Sequence, residues 1–169
     1  VVASIDLLYS KAKHAQMYNY CKPVVKEAEN AYIYSKQLKH AIIELIDSEV
    51  EYIPNDVYLN NEHNCGILLY GVNGSGKSCY SKSIGIALIL AQAGMYVPAE
   101  YFEYSPYHRL FTRINCDDNM FKGQSSFVVE MSDLKSILDY SCNRSLIIGD
   151  EVCKGTEEVS ALSIVGATL

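Results

Sequence analysis

The sequence predicts an α/β fold, a central mixed and mostly parallel sheet flanked by helices. Three observations carry that expectation. Short apolar strand-like runs alternate with helix-period segments through the second half of the chain. A glycine-rich turn, Gly71-Val72-Asn73-Gly74-Ser75-Gly76-Lys77-Ser78, lies between an apolar run and a long apolar helix pattern. A second apolar run, "SLIIGDE" (145–151), ends in two adjacent acids.

The elements follow in chain order. Residues 3–20 place Ile5, Leu8, Ala12 and Ala15 on one helical face, and Pro23 is expected to close that helix. Residues 35–47 read equally as amphipathic helix or extended chain. "EVEYIPNDVYL" (49–59) looks extended, with Pro54-Asn55-Asp56 as a turn, and "NEHN" (61–64) is a loop. "CGILLYG" (65–71) reads as a short apolar strand. Lys77 to Ala93 is a long apolar helix with Gly94 as its C-terminal cap. "YVPAEYFEY" (96–104) and "HRLFTRIN" (108–115) are strand-like. Ser132 is placed to cap a helix over 133–142, "SLIIGDE" is a buried strand, and a last helix begins near Glu157.

Composition bounds the function. The chain has 169 residues, 49% hydrophobic and 20% charged, which suits a globular core. Its net charge is −6, whereas a domain that holds nucleic acid by itself is usually basic. Any DNA contact is therefore expected from parts outside this chain. Six cysteines occur without a C-x-x-C pair or a histidine at ligand spacing, so a zinc site is not expected and the thiols read as reduced and intracellular. The longest apolar stretch, Ile84 to Ala93, is too short to span a bilayer. The chain starts without Met and stops within the apolar "SALSIVGATL" (160–169), so both ends are expected to continue into something larger.

The turn at 71–78 fits G-x-x-x-x-G-K-[ST], a phosphate cradle. Glycine permits the backbone angles that aim loop amides at phosphate oxygens. The helix that follows presents its positive dipole end to the anion. Lys77 supplies a point charge and the Ser78 hydroxyl can ligate Mg²⁺. Such a match arises by chance in roughly one chain of this size in a few hundred. Asp150 can hold Mg²⁺ and Glu151 can polarise an attacking water, which makes hydrolysis of a nucleotide the expected chemistry.

Beyond these motifs the chain resembles the ATPase domain of the MutS mismatch-repair family. The loop stands where that family has G-P-N-M-G-G-K-S-T, with Asn73 retained. "GMYVPAE" (94–100) resembles G-S-Y-V-P-A, "LFTRI" (110–114) resembles I-F-T-R-[IV], and "GQSSFVVEM" (123–131) resembles G-x-S-T-F-M-x-E-M. "GDEVCKGTE" (149–157) resembles the segment M-D-E-x-x-R-G-T. The resemblance implies a P-loop, ABC-ATPase-like fold over 23–169, incomplete at its C-terminal end, with residues 1–22 as the end of a helical lever.

It also implies roles. ATP would lie on Gly71, Asn73, Gly74, Ser75, Gly76, Lys77, Ser78 and Cys79, with Tyr52 stacked on adenine. Ser125 falls on the signature serine that contacts the nucleotide of a second subunit. Asp118 takes the Q-loop place, and Lys154, Gly155 and Thr156 fall on the loop that touches the partner. The partners implied are a second MutS-like subunit, as homo- or heterodimer, and mismatched or branched DNA held by other domains, with no membrane. Val72, Gly74, Ser75, Cys79, Ser126, Gly149 and Lys154 depart from the family's pattern and place the chain in a divergent branch. A related ATPase of recombination keeps the same fold. Another ABC-type ATPase would need an L-S-G-G-Q signature, and a mere nucleotide-binding module would not need both Asp150 and Glu151.

Overall fold

The computed structural model describes residues 1–46, 52–60, 64–113, 126–150 and 158–168. They form two compact units, Val1–Tyr107 and His108–Leu169. The architecture is α/β with mixed strand directions. The first unit opens with helix α1 (Val2–Tyr18). It ends at Asn19, which takes the left-handed conformation (φ 54°), rather than at Pro23. Asn tolerates that region and so stops a helix without glycine. Of the expected apolar face only Ala15 is buried, while Ile5 and Leu8 are exposed.

Four strands make one sheet: β1 (Val24–Val25), β2 (Tyr32–Leu38), β3 (Asn55–Asn60) and β4 (Tyr101–Tyr104), in the order β1-β4-β2-β3. β1 runs parallel to β4, and β2 is antiparallel to both of its neighbours. The ambiguous segment 35–47 thus divides between β2 and a short helix α2 (Ile43–Ile46). His40 starts that turn: its Nδ1 accepts the Ile42 and Ile43 amides, both at 3.3 Å. Burial, with Lys82 nearby, lowers the His40 pKa and keeps that lone pair available. Pro54-Asn55-Asp56 is not a turn, because Asn55 and Asp56 belong to β3. There the Asp56 carboxylate accepts the Gln37 amide at 2.9 Å, where β2 bulges and Gln37 has φ 52°.

Alternation along these strands separates two faces. Ile33, Val57 and Phe102 are at most 1% exposed and make the core side, with Ser35 donating to the Tyr101 carbonyl. The other side carries Tyr32, Tyr34, Tyr58, Asn60, Tyr101 and Glu103. Glu103 accepts from the hydroxyls of Tyr32 (2.8 Å) and Tyr101 (2.6 Å) and pairs with Lys26 (2.8 Å). The Lys26 ammonium, helped by both phenols, holds the Glu103 carboxyl down to about 2. Partial burial and the same carboxylate push Tyr32 up to about 12.

Helix α3 (Lys77–Gln92) contributes Ile84, Ala87, Leu88 and Ala91 to the buried set. Its end matches expectation in detail. Gly94 has φ 70°, its amide bonds Ala91 O at 3.0 Å, and the Met95 amide bonds Leu90 O at 2.9 Å. That pair of bonds is the Schellman arrangement, which needs a left-handed residue. The segment before the glycine loop departs from expectation. Residues 66–71 join no ladder among the described residues, and Leu68 and Tyr70 are 77% and 91% exposed. An apolar run becomes a strand only where a neighbour supplies its hydrogen bonds.

In the second unit β5 (Arg109–Arg113) and β6 (Ser145–Gly149) pair in parallel, from Arg109 opposite Ser145 to Arg113 opposite Gly149. Leu146 and Ile148 are buried but Ile147 is half-exposed, so β6 is covered on one side rather than both. α4 (Ser126–Tyr140) contains Ser132 in its interior, so Ser132 is not a cap. The helix-compatible residues Phe127–Met131 carry the helix past it, and its carbonyl accepts the Ser136 hydroxyl. α5 (Glu158–Thr168) follows as expected.

Two outcomes test this account. Phe102→Ala should lower unfolding free energy by about 3–5 kcal/mol in urea titration, since its ring is wholly buried. Glu103→Gln should cost on the order of 1 kcal/mol at neutral pH, solvent screening included. A carboxyl depressed on folding contributes above its unfolded pKa and loses that contribution as pH falls through the folded value. The gap between wild type and variant should therefore close between about pH 5 and pH 2, as read by thermal unfolding.

Candidate nucleotide-binding site

The site is built on the junction between residues 71–76 and α3. Gly74 and Gly76 have φ 82° and 91°, a region that costs any L side chain strain. No atom lies within 4 Å of a Cβ built on either, so conformation rather than crowding demands glycine there. At Gly71 a Cβ would meet Ser75 Oγ at 3.2 Å. The Ser75 amide bonds Val72 O at 3.3 Å and closes the turn through Asn73 and Gly74.

Lys77 lies across this turn. Its ammonium donates to Gly71 O at 2.8 Å and Val72 O at 2.9 Å. An ammonium has three donors, so one is left to meet an anion over the loop. Gly76 is the N-cap of α3 and supplies no side-chain cap, and no acid stands in the first turn. Its carbonyl takes the Tyr80 amide at 2.8 Å. The amides of Lys77, Ser78 and Cys79 precede that first helical bond and have no partner within the helix. A cationic tip, orphan amides and the positive end of a helix dipole form the donor set that phosphate needs. The residues present fit a nucleotide's phosphates, and the Ser78 hydroxyl on the same turn fits Mg²⁺.

Tyr52 is half-buried. Burial raises its phenol pKa, with Ser83 and Cys79 close by. It therefore stands beside the first two turns of α3, alongside Cys79 of the loop motif. Tyr80 joins α3 to the sheet, donating to Asp56 O at 3.3 Å. Asp150 lies in the second unit, directly after β6. Its amide donates to Arg113 O at 2.8 Å, which fixes the acid at the carboxyl ends of two parallel strands. Such strand ends are where α/β sheets place ligands. Asp118, Ser125, Glu151, Lys154, Gly155 and Thr156 lie outside the described residues.

The sequence reading passed over the tyrosine face of the four-stranded sheet. Its signal is there in retrospect, as period-two spacing: Tyr32 and Tyr34, Tyr58 and Asn60, Tyr101 and Glu103. Among the described residues no helix is long and apolar enough to cross a membrane.

Comparison with known proteins bears on the same residues. The family model for MutS domain V matches residues 67–169. A putative DNA mismatch repair protein mutS homolog of Acanthamoeba polyphaga mimivirus is 40% identical, over 99% of this chain and 18% of its own length. A mitochondrial DNA mismatch repair protein mutS homolog of Sarcophyton glaucum is 39% identical, over 100% of the chain and 17% of its own. The DNA mismatch repair protein MutS of Cytophaga hutchinsonii is also 39% identical, over 99% and 19%. The chain thus spans less than a fifth of the length of these relatives. With the domain V match running from the strand-like residues before the glycine loop to the last residue, this chain belongs to the MutS family.

Proposed function

We propose that the chain is the ATP-binding and hydrolysing module of a MutS-like DNA mismatch-repair protein. In this reading two such modules dimerise and couple nucleotide state to a DNA clamp formed by other domains. The observation that carries it is the Lys77 ammonium, bridged to Gly71 O and Val72 O at the start of a helix whose first amides lack partners. The names of the relatives support the mismatch-repair context. The net charge of −6 supports DNA contact by other parts of the protein.

The chemistry follows from the side chains. Loop amides and the α3 amides bind the β and γ phosphates, and the remaining Lys77 donor reaches the same oxygens. Tyr52, beside α3, offers its ring to adenine. In this reading Ser78 and Asp150 would each be a ligand for Mg²⁺, which would neutralise charge on the phosphates. Glu151 orients a water and takes its proton during in-line attack on the γ-phosphate. Ser125 contacts the nucleotide of the partner subunit, Asp118 takes the Q-loop place, and Lys154, Gly155 and Thr156 line the partner. Lys154 in place of the family's Arg gives a point charge instead of a planar fork at that contact. A central P-loop sheet over 23–169, with 1–22 as the end of a lever helix, belongs to the same reading.

Two substitutions separate binding from turnover. Lys77→Met should weaken ATP binding by about tenfold to a hundredfold in calorimetry, the size of one charge-assisted hydrogen bond. Unchanged affinity would remove the cradle assignment. In the full-length protein, because this segment alone is expected to turn over poorly, Glu151→Gln should keep ATP affinity and slow hydrolysis by roughly 10² to 10⁴. Normal turnover in that variant would assign the base to another residue.

A further inference from the structure

The outward face of the four-stranded sheet holds a second feature that the nucleotide reading does not use. Tyr32, Tyr34, Tyr58, Asn60 and Glu103 line a hollow of about 330 Å³. That is at the lower end of small-molecule pockets, roughly 300–1,000 Å³. Strand register builds it. Tyr34 lies between Glu103 on β4 and Tyr58 on β3, and Tyr32 faces Asn60. The Tyr34 ring is edge-on to Tyr58, at 6.0 Å and 80°, and to Tyr101, at 5.8 Å and 62°. Rings stacked in parallel would make a flat patch, whereas rings near perpendicular make a floor and walls. Tyr58 is 45% exposed, so the hollow opens to solvent.

We propose that this tyrosine-lined hollow is a binding site for a methylated ammonium group, of the kind carried by a trimethylated lysine side chain. Aromatic faces bear the negative part of the ring quadrupole and attract cations within about 6 Å. Glu103 adds a carboxylate to the lining. The preference for a methylated cation comes from what each cation gives up on leaving water. Glu103 Oε1 already accepts from Tyr32, and Oε2 from Tyr101 and Lys26. A carboxylate offers about four lone-pair sites, so at most one is left. A bare ammonium with three donors or a guanidinium with five must exchange bonds to water for the few acceptors of a ring-walled hollow, the phenol oxygens, the Asn60 amide and that last carboxylate site. A trimethylammonium has no N–H bonds to exchange, so the ring faces hold it, while Lys26 at 2.8 Å offsets much of the Glu103 charge. Lys26 does not line the hollow, and its side chain is 57% exposed.

The test is NMR titration of the protein with ring-labelled tyrosine. The probes are N-acetyl-trimethyllysine methyl ester and its unmethylated and arginine counterparts, with potassium chloride matching ionic strength. Saturable shifts of the Tyr34 and Tyr58 rings should appear with the trimethylated probe. It should bind about threefold or more tighter than either counterpart. Tyr34→Leu and Tyr58→Leu should each weaken it by about threefold or more, while Tyr34→Phe, which keeps the ring, should leave it nearly unchanged. Should Tyr34→Leu fail to fold, the exposed Tyr58 variant decides alone. Absence of saturable shifts, equal binding of lysine, or indifference to Tyr58→Leu would each overturn the proposal.

Discussion

The pairing of β2 with strands on both sides is the constraint on which the first unit rests. β2 is central and antiparallel to β3 and β4, so its register fixes theirs. Because side chains alternate at period two, a slip of one residue would turn Ile33 out and Tyr32 and Tyr34 in. The fully buried Phe102 and Ile33 forbid that slip on one side. The Glu103 network forbids it on the other, since Tyr32 and Lys26 reach the carboxylate only in this register. The bulge at Gln37, tied by Asp56, ends the regular ladder and sets where β3 begins.

The loop at 71–76 obeys a different physics. Little of it is buried, and its shape comes from backbone conformation that only glycine takes cheaply. Lys77 then ties the shape from within by bonding two carbonyls of its own loop. Rigidity here does not come from a hydrophobic core. Electrostatic preorganisation needs only that donors be held where charge will arrive. Val72 and Cys79 depart from the family's pattern. Val72 enters the lysine bonds through its backbone carbonyl alone, so no particular side chain is required of it there, and Cys79 enters neither the glycine angles nor the lysine bonds.

Local chemistry was legible in the sequence and pairing was not. The glycine loop, the start of α3 at Lys77 and its end at Gly94 follow from short-range rules that a few residues satisfy by themselves. The strands needed partners that a linear reading does not supply. "CGILLYG" has the composition of a strand yet joins no ladder among the described residues, and Asn55-Asp56 has the composition of a turn yet lies in β3. Ser132 looked like a cap because Ser often is one. The apolar residues before it, which belong to the same helix, decided otherwise. The family was legible because its motifs are ordered along the whole chain. The tyrosine face was not, because three strands distant in sequence assemble it.

Lys11 of α1 donates to the Gly94 carbonyl at 3.2 Å, at the far end of the helix whose near end is the phosphate loop. The last carbonyls of a helix carry its negative pole, so a cation there completes the dipole that the loop begins. α3 has 16 residues, about 24 Å of rigid rise. Its two ends are turned by left-handed glycines, Gly76 and Gly94, which let the chain leave at sharp angles without unwinding the rod. The helix is thus a strut with a sharp bend of the chain at each end, and Lys11 of α1 bonds the end remote from the phosphates. One helix therefore lies between the residue that Lys11 of α1 bonds and the residues that shape the phosphate loop.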